Sequence, residues 1–224
     1  MIPYIDIHAH LDFDVLYDNL DSYVKRAKEK NVLIVSNGVN PESNKKTLAI
    51  AKKFDNVKVA LGIYPMDALG REENSQNDFD WEKEIKNIVS KKSKMIAFGE
   101  IGMDYYNGGR TEIDKDKQKK VFRKIIEVSK KISKPMIIHS RKAEKDIVDI
   151  LEESNIDPNL VIMHCFSGKK SLINRCIENK WYFTIPTNVI RNHAFRSIIK
   201  RTDINHLFCE TDSPFLSPYG RFET

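Results

Sequence analysis

The chain has 224 residues, 41% hydrophobic and 31% charged. That is enough for one domain spanning 1–224, and the absence of any run of about 18 apolar residues excludes a membrane-spanning helix. Met1 to Tyr4 leads straight into an apolar segment with no basic, apolar leader, so a cytoplasmic protein is expected. The formal net charge of +5 leans towards polyanionic partners, although most lysines fall on helical faces. Cys165, Cys176 and Cys209 show no C-x-x-C spacing, which suits a reducing compartment.

In chain order, short apolar runs alternate with longer helical patterns. The runs Pro3–Ile7, Val32–Ser36, Val57–Gly62, Met95–Gly99, Pro135–Ile138, Leu160–Met163, Trp181–Ile185 and His206–Cys209 read as strands. Between them lie predicted helices at Leu16–Lys30, after Asn40-Pro41-Glu42, and at Trp81–Lys92, Asp114–Ser133, Ala143–Glu153, Lys170–Asn179 and Ala194–Lys200. The strands are continuous apolar runs rather than alternating ones, as in a parallel sheet covered on both faces. The pattern predicts an α/β fold, a (β/α)8 TIM-type barrel, with an open doubly wound sheet as the alternative. Only Glu210 to Thr224 follow the eighth strand, so the last outer helix is expected to be missing or truncated.

The chemistry gathers at strand ends. His8 and His10 are spaced i, i+2 and point to one side of a strand, where two imidazoles can begin a transition-metal site. Strand four ends in Gly99-Glu100, strand five in His139, strand six in His164 and strand eight in Glu210-Thr211-Asp212. In a barrel these positions meet on the face that carries the active site. Four histidines with Glu100 and Asp212 exceed what one ion needs, and a glutamate between two ions can bridge them. Two divalent ions are therefore expected. Histidine-rich ligation leans to Zn²⁺ or Mn²⁺, and nuclease chemistry often uses Mg²⁺. Such a site suits hydrolysis of phosphate esters, and equally of amides or lactones. His193 and His206 read as structural or surface residues.

These residues resemble the TatD-related metal-dependent deoxyribonucleases, within the amidohydrolase-like metal barrels. The matching segments are Asp6-Ile7-His8-Ala9-His10-Leu11-Asp12, Leu61-Gly62-Ile63-Tyr64-Pro65, Gly99-Glu100-Ile101-Gly102-Met103-Asp104-Tyr105, Pro135 to Arg141, His164-Cys165-Phe166-Ser167-Gly168 and Glu210-Thr211-Asp212-Ser213-Pro214. The resemblance implies that His8, His10 and Asp212 hold one ion, Glu100 bridges, and His139 and His164 hold the other. Asp212 would orient or deprotonate the attacking water, with Glu100 as the second catalytic carboxylate. It implies a cytoplasmic, 3′–5′ exonuclease-like deoxyribonuclease acting on single-stranded or frayed DNA.

Substrate contacts are expected from four residues. Arg141 could grip a phosphate bidentately, and the Ser167-Gly168 turn could offer backbone N–H groups to an anion. Tyr105, with Tyr106, could stack on a base, and Tyr64 occupies a substrate position where the family commonly has histidine. Asp104 is expected to support a ligand. Two further departures are Ile7, where the family has a small residue, and the tail at Tyr219–Thr224, where Arg221 stands in place of an Arg-Asn-x-Pro segment and final helix. An uncovered barrel side would invite a homodimer contact. A small-molecule amidohydrolase or lactonase, and a weakened barrel serving as a scaffold, are the alternatives.

Overall fold

Runs of Val, Ile and Met flanked by turn residues bury both faces only if they lie side by side with helices outside, and that is the arrangement found. The computed structural model describes residues 4–70 and 79–219. Eight parallel strands close into a barrel in sequence order, which excludes the open sheet. They are β1 (Tyr4–Ala9), β2 (Val32–Asn37), β3 (Val57–Leu61), β4 (Ala97–Gly102), β5 (Met136–His139), β6 (Val161–Met163), β7 (Tyr182–Pro186) and β8 (Leu207–Glu210). All eight expected strands are present, and Pro3 lies outside the described residues.

Outside the barrel run α1 (Asp14–Tyr17), α2 (Leu20–Glu29), α3 (Pro41–Lys53), α4 (Pro65–Ala68), α5 (Trp81–Ser90), α6 (Glu112–Ile132), α7 (Glu144–Glu153), α8 (Lys170–Glu178) and α9 (His193–Arg201). The single helix expected over Leu16–Lys30 is interrupted at Asp18-Asn19, residues that favour turns over helix interiors. The turn α4, begun by Pro65 at its first position, was not foreseen. Among the described residues no helix follows β8, and Arg221 lies outside them. Tyr4 of β1 and Cys209 of β8 are exposed.

Strand alternation sorts the core into two layers. Val59, Leu61, Phe98, Met136, Ile138, Val161, Met163 and Phe183 pack against the helices through Ile85, Ile88, Phe122, Ile125, Ile147, Ile173 and Ile198. The alternate side chains Ile7, Val35, Ala60, Ala97, Ile137 and Ile162 form the smaller inner cluster. Inward positions further along the strands are polar, and these are the strand-end residues of the site.

Several strands run past their expected ends, and in two of them the register also shifts. β1 continues through His8, with a register shift between Asp6 and Ala9. β4 continues through Glu100 to Gly102, also with a shift, between Phe98 and Ile101. Both irregularities fall where ligand-type residues leave the pleat, and a bulge re-aims side chains in this way. Two glycines make room for that backbone. A Cβ on Gly62 would stand 2.2 Å from the Glu100 carbonyl oxygen, and one on Gly102, at φ +135°, would stand 2.1 Å from that of His139.

Candidate metal centre

The strand-eight run is tied to β1. The Asp6 carboxylate accepts from the Thr211 amide (2.9 Å) and hydroxyl (2.6 Å), and from the His8 amide (3.3 Å). The Asp212 amide donates to the His8 carbonyl, and the His10 amide to that of Ser213, both at 2.8 Å. Burial raises Asp6 to about 6 against these bonds. Asp212 is held in left-handed backbone at φ +51°, and Cys165 beside His164 at φ +44°. Non-glycine residues adopt that region at an energetic cost, often at functional sites.

The six ligand-type residues converge. His8 Nε2 lies 3.1 Å from His10 Nε2, 3.7 Å from Glu100 Oε2 and 3.6 Å from Asp212 Oδ1. His10 Nε2 lies 3.4 Å and 3.5 Å from the same two oxygens. The other Glu100 oxygen, Oε1, faces His139 Nδ1 at 2.7 Å and His164 Nε2 at 3.8 Å. One carboxylate thus turns one oxygen to each histidine pair. Separations near 3.4 Å are the edges of a tetrahedron whose centre is ~2.1 Å from each corner, a transition-metal ligand distance. The donor set of imidazoles and carboxylates fits divalent ions, with His8, His10 and Asp212 on one side of Glu100 and His139 and His164 on the other.

The outward ring nitrogens of His10, His139 and His164 are also held. His10 Nδ1 lies 3.1 Å from the Asn37 carbonyl, His139 Nε2 3.0 Å from Asp104 Oδ2 and His164 Nδ1 2.7 Å from Glu210 Oε2. Such partners fix the tautomer and aim the free nitrogen. Asp104 also accepts from Tyr64 Oη (2.9 Å) and Asn107 Nδ2 (2.9 Å), and Gln118 of α6 bonds both its backbone amide and carbonyl. Asp104, expected to support a ligand, thus lies directly behind the His139 ring.

Charge follows from the packing. Burial alone would push the imidazoles towards neutrality, but Glu100 and Asp104 outweigh it at His139, raised to about 9. Glu210, Asp212 and Glu100 do so at His164, raised to about 10. His10 is raised against its burial by Asp212 and Glu100. His8, fully buried and stacked 3.7 Å from the His164 ring, is lowered. Burial would raise the carboxyls, yet His139 and His8 hold Glu100 well below the usual range, and His10 and His164 hold Asp212 below it. The carboxylates are therefore ionised near neutral pH, as metal ligands must be.

The centre opens into a cavity of about 570 Å³ lined by His10, Tyr64, Glu100, His139, His164 and Asp212 of the set above. Of the expected substrate contacts, Tyr64, Arg141 and Ser167 line it. Tyr105 does not: its hydroxyl donates to Asp146 of α7 at 2.8 Å, because its ring packs against the core beside α6 and α7. The neighbouring Tyr106 is exposed instead, and the Arg141 guanidinium sits 4.0 Å over its ring. His193 is exposed and His206 packs on Tyr182, both away from the centre.

Two features were missed. Glu210 was visible in the Glu210-Thr211-Asp212 run, and period-two alternation puts it on the same side as Asp212. The apolar wall of Phe13 and Phe215, edge to face at 5.1 Å beside His10, had no sequence signal because neither lies in a periodic element.

A closed (β/α)8 barrel with clustered imidazoles and carboxylates at its C-terminal face defines a metal-dependent hydrolase. The family profile described as TatD related DNase matches residues 5–223, and the chain belongs to that family. It is 33% identical over 217 residues to the "Uncharacterized metal-dependent hydrolase YabD" of Bacillus subtilis, covering 96% of this chain and 81% of that protein. It is 26% identical over 218 residues to human "Deoxyribonuclease TATDN3", covering 96% and 79%. The Escherichia coli TatD homologue YJJV superposes with a TM-score of 0.83 at 22% identity, covering all of this chain and 84% of that one, a likeness of fold.

Proposed function

We propose that the protein is a deoxyribonuclease that hydrolyses DNA phosphodiester bonds with two divalent ions, working 3′–5′ from single-stranded or frayed ends. The observation that carries this reading is Glu100, whose two oxygens are shared between the His8–His10 pair and the His139–His164 pair. The name of the human relative, and the family description, favour DNA over other hydrolysable substrates.

Ions held there supply Lewis acidity, which acidifies water and neutralises charge on a phosphoryl group. The protein's part follows from the geometry. Asp212, ionised and 3.5 Å from His10 Nε2, is placed to take the proton from the attacking water at a carboxylate oxygen. Arg141 at the cavity wall pairs with a phosphate of the strand. Tyr64 lends a neutral hydroxyl, kept protonated because burial and the Glu100 and Asp104 charges raise its pKa. Phe13, Phe215 and Leu216 give a base an apolar wall and exclude water from the reacting phosphate.

The test is a panel of labelled single- and double-stranded DNA, amides and lactones, run with Mn²⁺, Zn²⁺ or Mg²⁺. Nucleotide release by the wild type and none by Glu100→Ala is expected. Hydrolysis of amides or lactones without any DNA product would overturn the proposal.

A further inference from the structure

The rim of the cavity is electrically lopsided. The segments that follow β5 (140–143), β6 (164–169) and β7 (187–192) carry Arg141, Lys142, Lys169 and Arg191, all exposed, and no carboxylate. Lys170 continues the series as the first residue of α8. Among the described residues none of these five cations is in an ion pair. Of the carboxylates behind them, Asp146 is engaged with Lys119, and Asp149 and Glu152 with Arg175, which leaves Glu144 at the start of α7 as the acidic group in the cavity wall beside Arg141. The opposite rim, after β1 and β2, is acidic. A groove there is lined by Asp12, Asp14 and Glu42, and the one cation among the described residues lining it, Lys46, stands 3.4 Å from Glu42 and 3.8 Å from Asp14.

Within the basic half, Arg141 reaches into the cavity wall while its guanidinium stacks on the exposed ring of Tyr106. Stacking fixes the plane of the fork and leaves its edge free for phosphate. Ile190 beside Arg191 is 66% exposed, an apolar surface at the far end of the series. Cations interleaved with flat or apolar surfaces suit a single strand, whose backbone tracks charge while its bases stack.

We propose that the rim formed by the segments after β5, β6 and β7 is the track along which the backbone of a polynucleotide strand leaves the metal centre. Arg141 stacked on Tyr106 is its inner station, and Lys142, Lys169 and Arg191 are its outer ones. The acidic rim keeps the strand off the β1–β2 side, so the substrate approaches from one direction. The proposal rests on the nuclease reading and deepens it: the preferred substrate is a strand several nucleotides long rather than a mononucleotide or small ester.

The experiment is fluorescence anisotropy of a labelled single strand of roughly twelve nucleotides, its linkages phosphorothioate to resist cleavage, with the metal-loaded protein over a salt series. The combined variant Lys142→Glu/Lys169→Glu/Arg191→Glu is compared with Lys30→Glu, an exposed lysine after α2 at the opposite end of the barrel. Circular dichroism checks that each is folded. The triple variant should bind about tenfold or more weakly, with the slope of log affinity against log salt shallower by about two. Lys30→Glu should stay within about twofold of wild type. Wild-type affinity in the triple variant, or equal weakening by Lys30→Glu, would overturn the track. A wild type that binds through the rim yet releases no nucleotide from an ordinary strand sinks the nuclease reading while supporting the track. Degradation by the triple variant at the wild-type KM sinks the track alone.

Discussion

Glu100 is the residue through which the proposed two-ion centre is joined, because each of its oxygens faces a different histidine pair. Glu100→Ala should therefore abolish loading of both ions, whereas His8→Ala should cost only the ion beside Asp212, with the barrel still folded in each case. Elemental analysis of the purified variants, with circular dichroism alongside, reads this; retention of two ions by Glu100→Ala would remove it from the bridging position. Glu210 acts one layer further out. Its Oε2 fixes the His164 ring at 2.7 Å, while its Oε1 and the Nδ1 of His8 are both buried without a hydrogen-bond partner. Glu210→Gln keeps the shape but weakens the hold on His164, so loss of affinity by roughly 10- to 100-fold is expected for the ion that His164 holds. Isothermal titration against wild type measures it, and an unchanged affinity would show that the ring is aimed by packing alone.

At the scale of elements, α6 connects stability to the site. Thr111 and Asp114 form a reciprocal capping box at its start, and Gln118 one turn on bonds the Asp104 backbone at 2.8 Å and 3.1 Å. Thr111→Ala should cost about 1 kcal/mol, a loss of roughly 2–4 °C in melting temperature for a chain of this size, and leave ion affinity alone. Gln118→Ala leaves a buried amide and carbonyl unpaired, which should cost about 2 kcal/mol or more. It should also loosen Asp104 and weaken the ion beside His139. Thermal melts with and without EDTA separate the two effects. Equal ion affinity in both variants would show that α6 supports the barrel but not the site. The register shifts in β1 and β4 belong to this scale too, since they decide where His8 and Glu100 leave the pleat, and apolar-run lengths alone placed the strand ends short of both residues.

For the whole molecule, ion uptake must compete with protons. In the metal-free protein the neighbouring carboxylates raise His139 to about 9 and His164 to about 10, which favours the protonated rings at pH 7. Loading displaces those protons, hence apparent affinity should fall as pH falls and rise as pH climbs towards 9. Calorimetry in buffers of different ionisation enthalpy counts the protons released, and pH-independent uptake would contradict the charge arrangement. The sign for metal-free stability is the reverse. A histidine raised in the folded state contributes stability below its unfolded value of ~6.5 and loses it as pH rises through the folded value. EDTA-treated protein should thus melt lower at pH 10 than at pH 6. The sequence by itself determined eight strands alternating with helices and the six ligand-type residues at their ends, because burial periodicity and strand-end position are local properties of the chain. Only the tertiary structure decided that Glu100 divides its oxygens, that Glu210 and Asp104 stand behind the imidazoles, and that Tyr105 turns to α7 while Tyr106 carries Arg141. Those outcomes depend on distances between residues 35 or more positions apart, which closure of the barrel sets and no local pattern encodes.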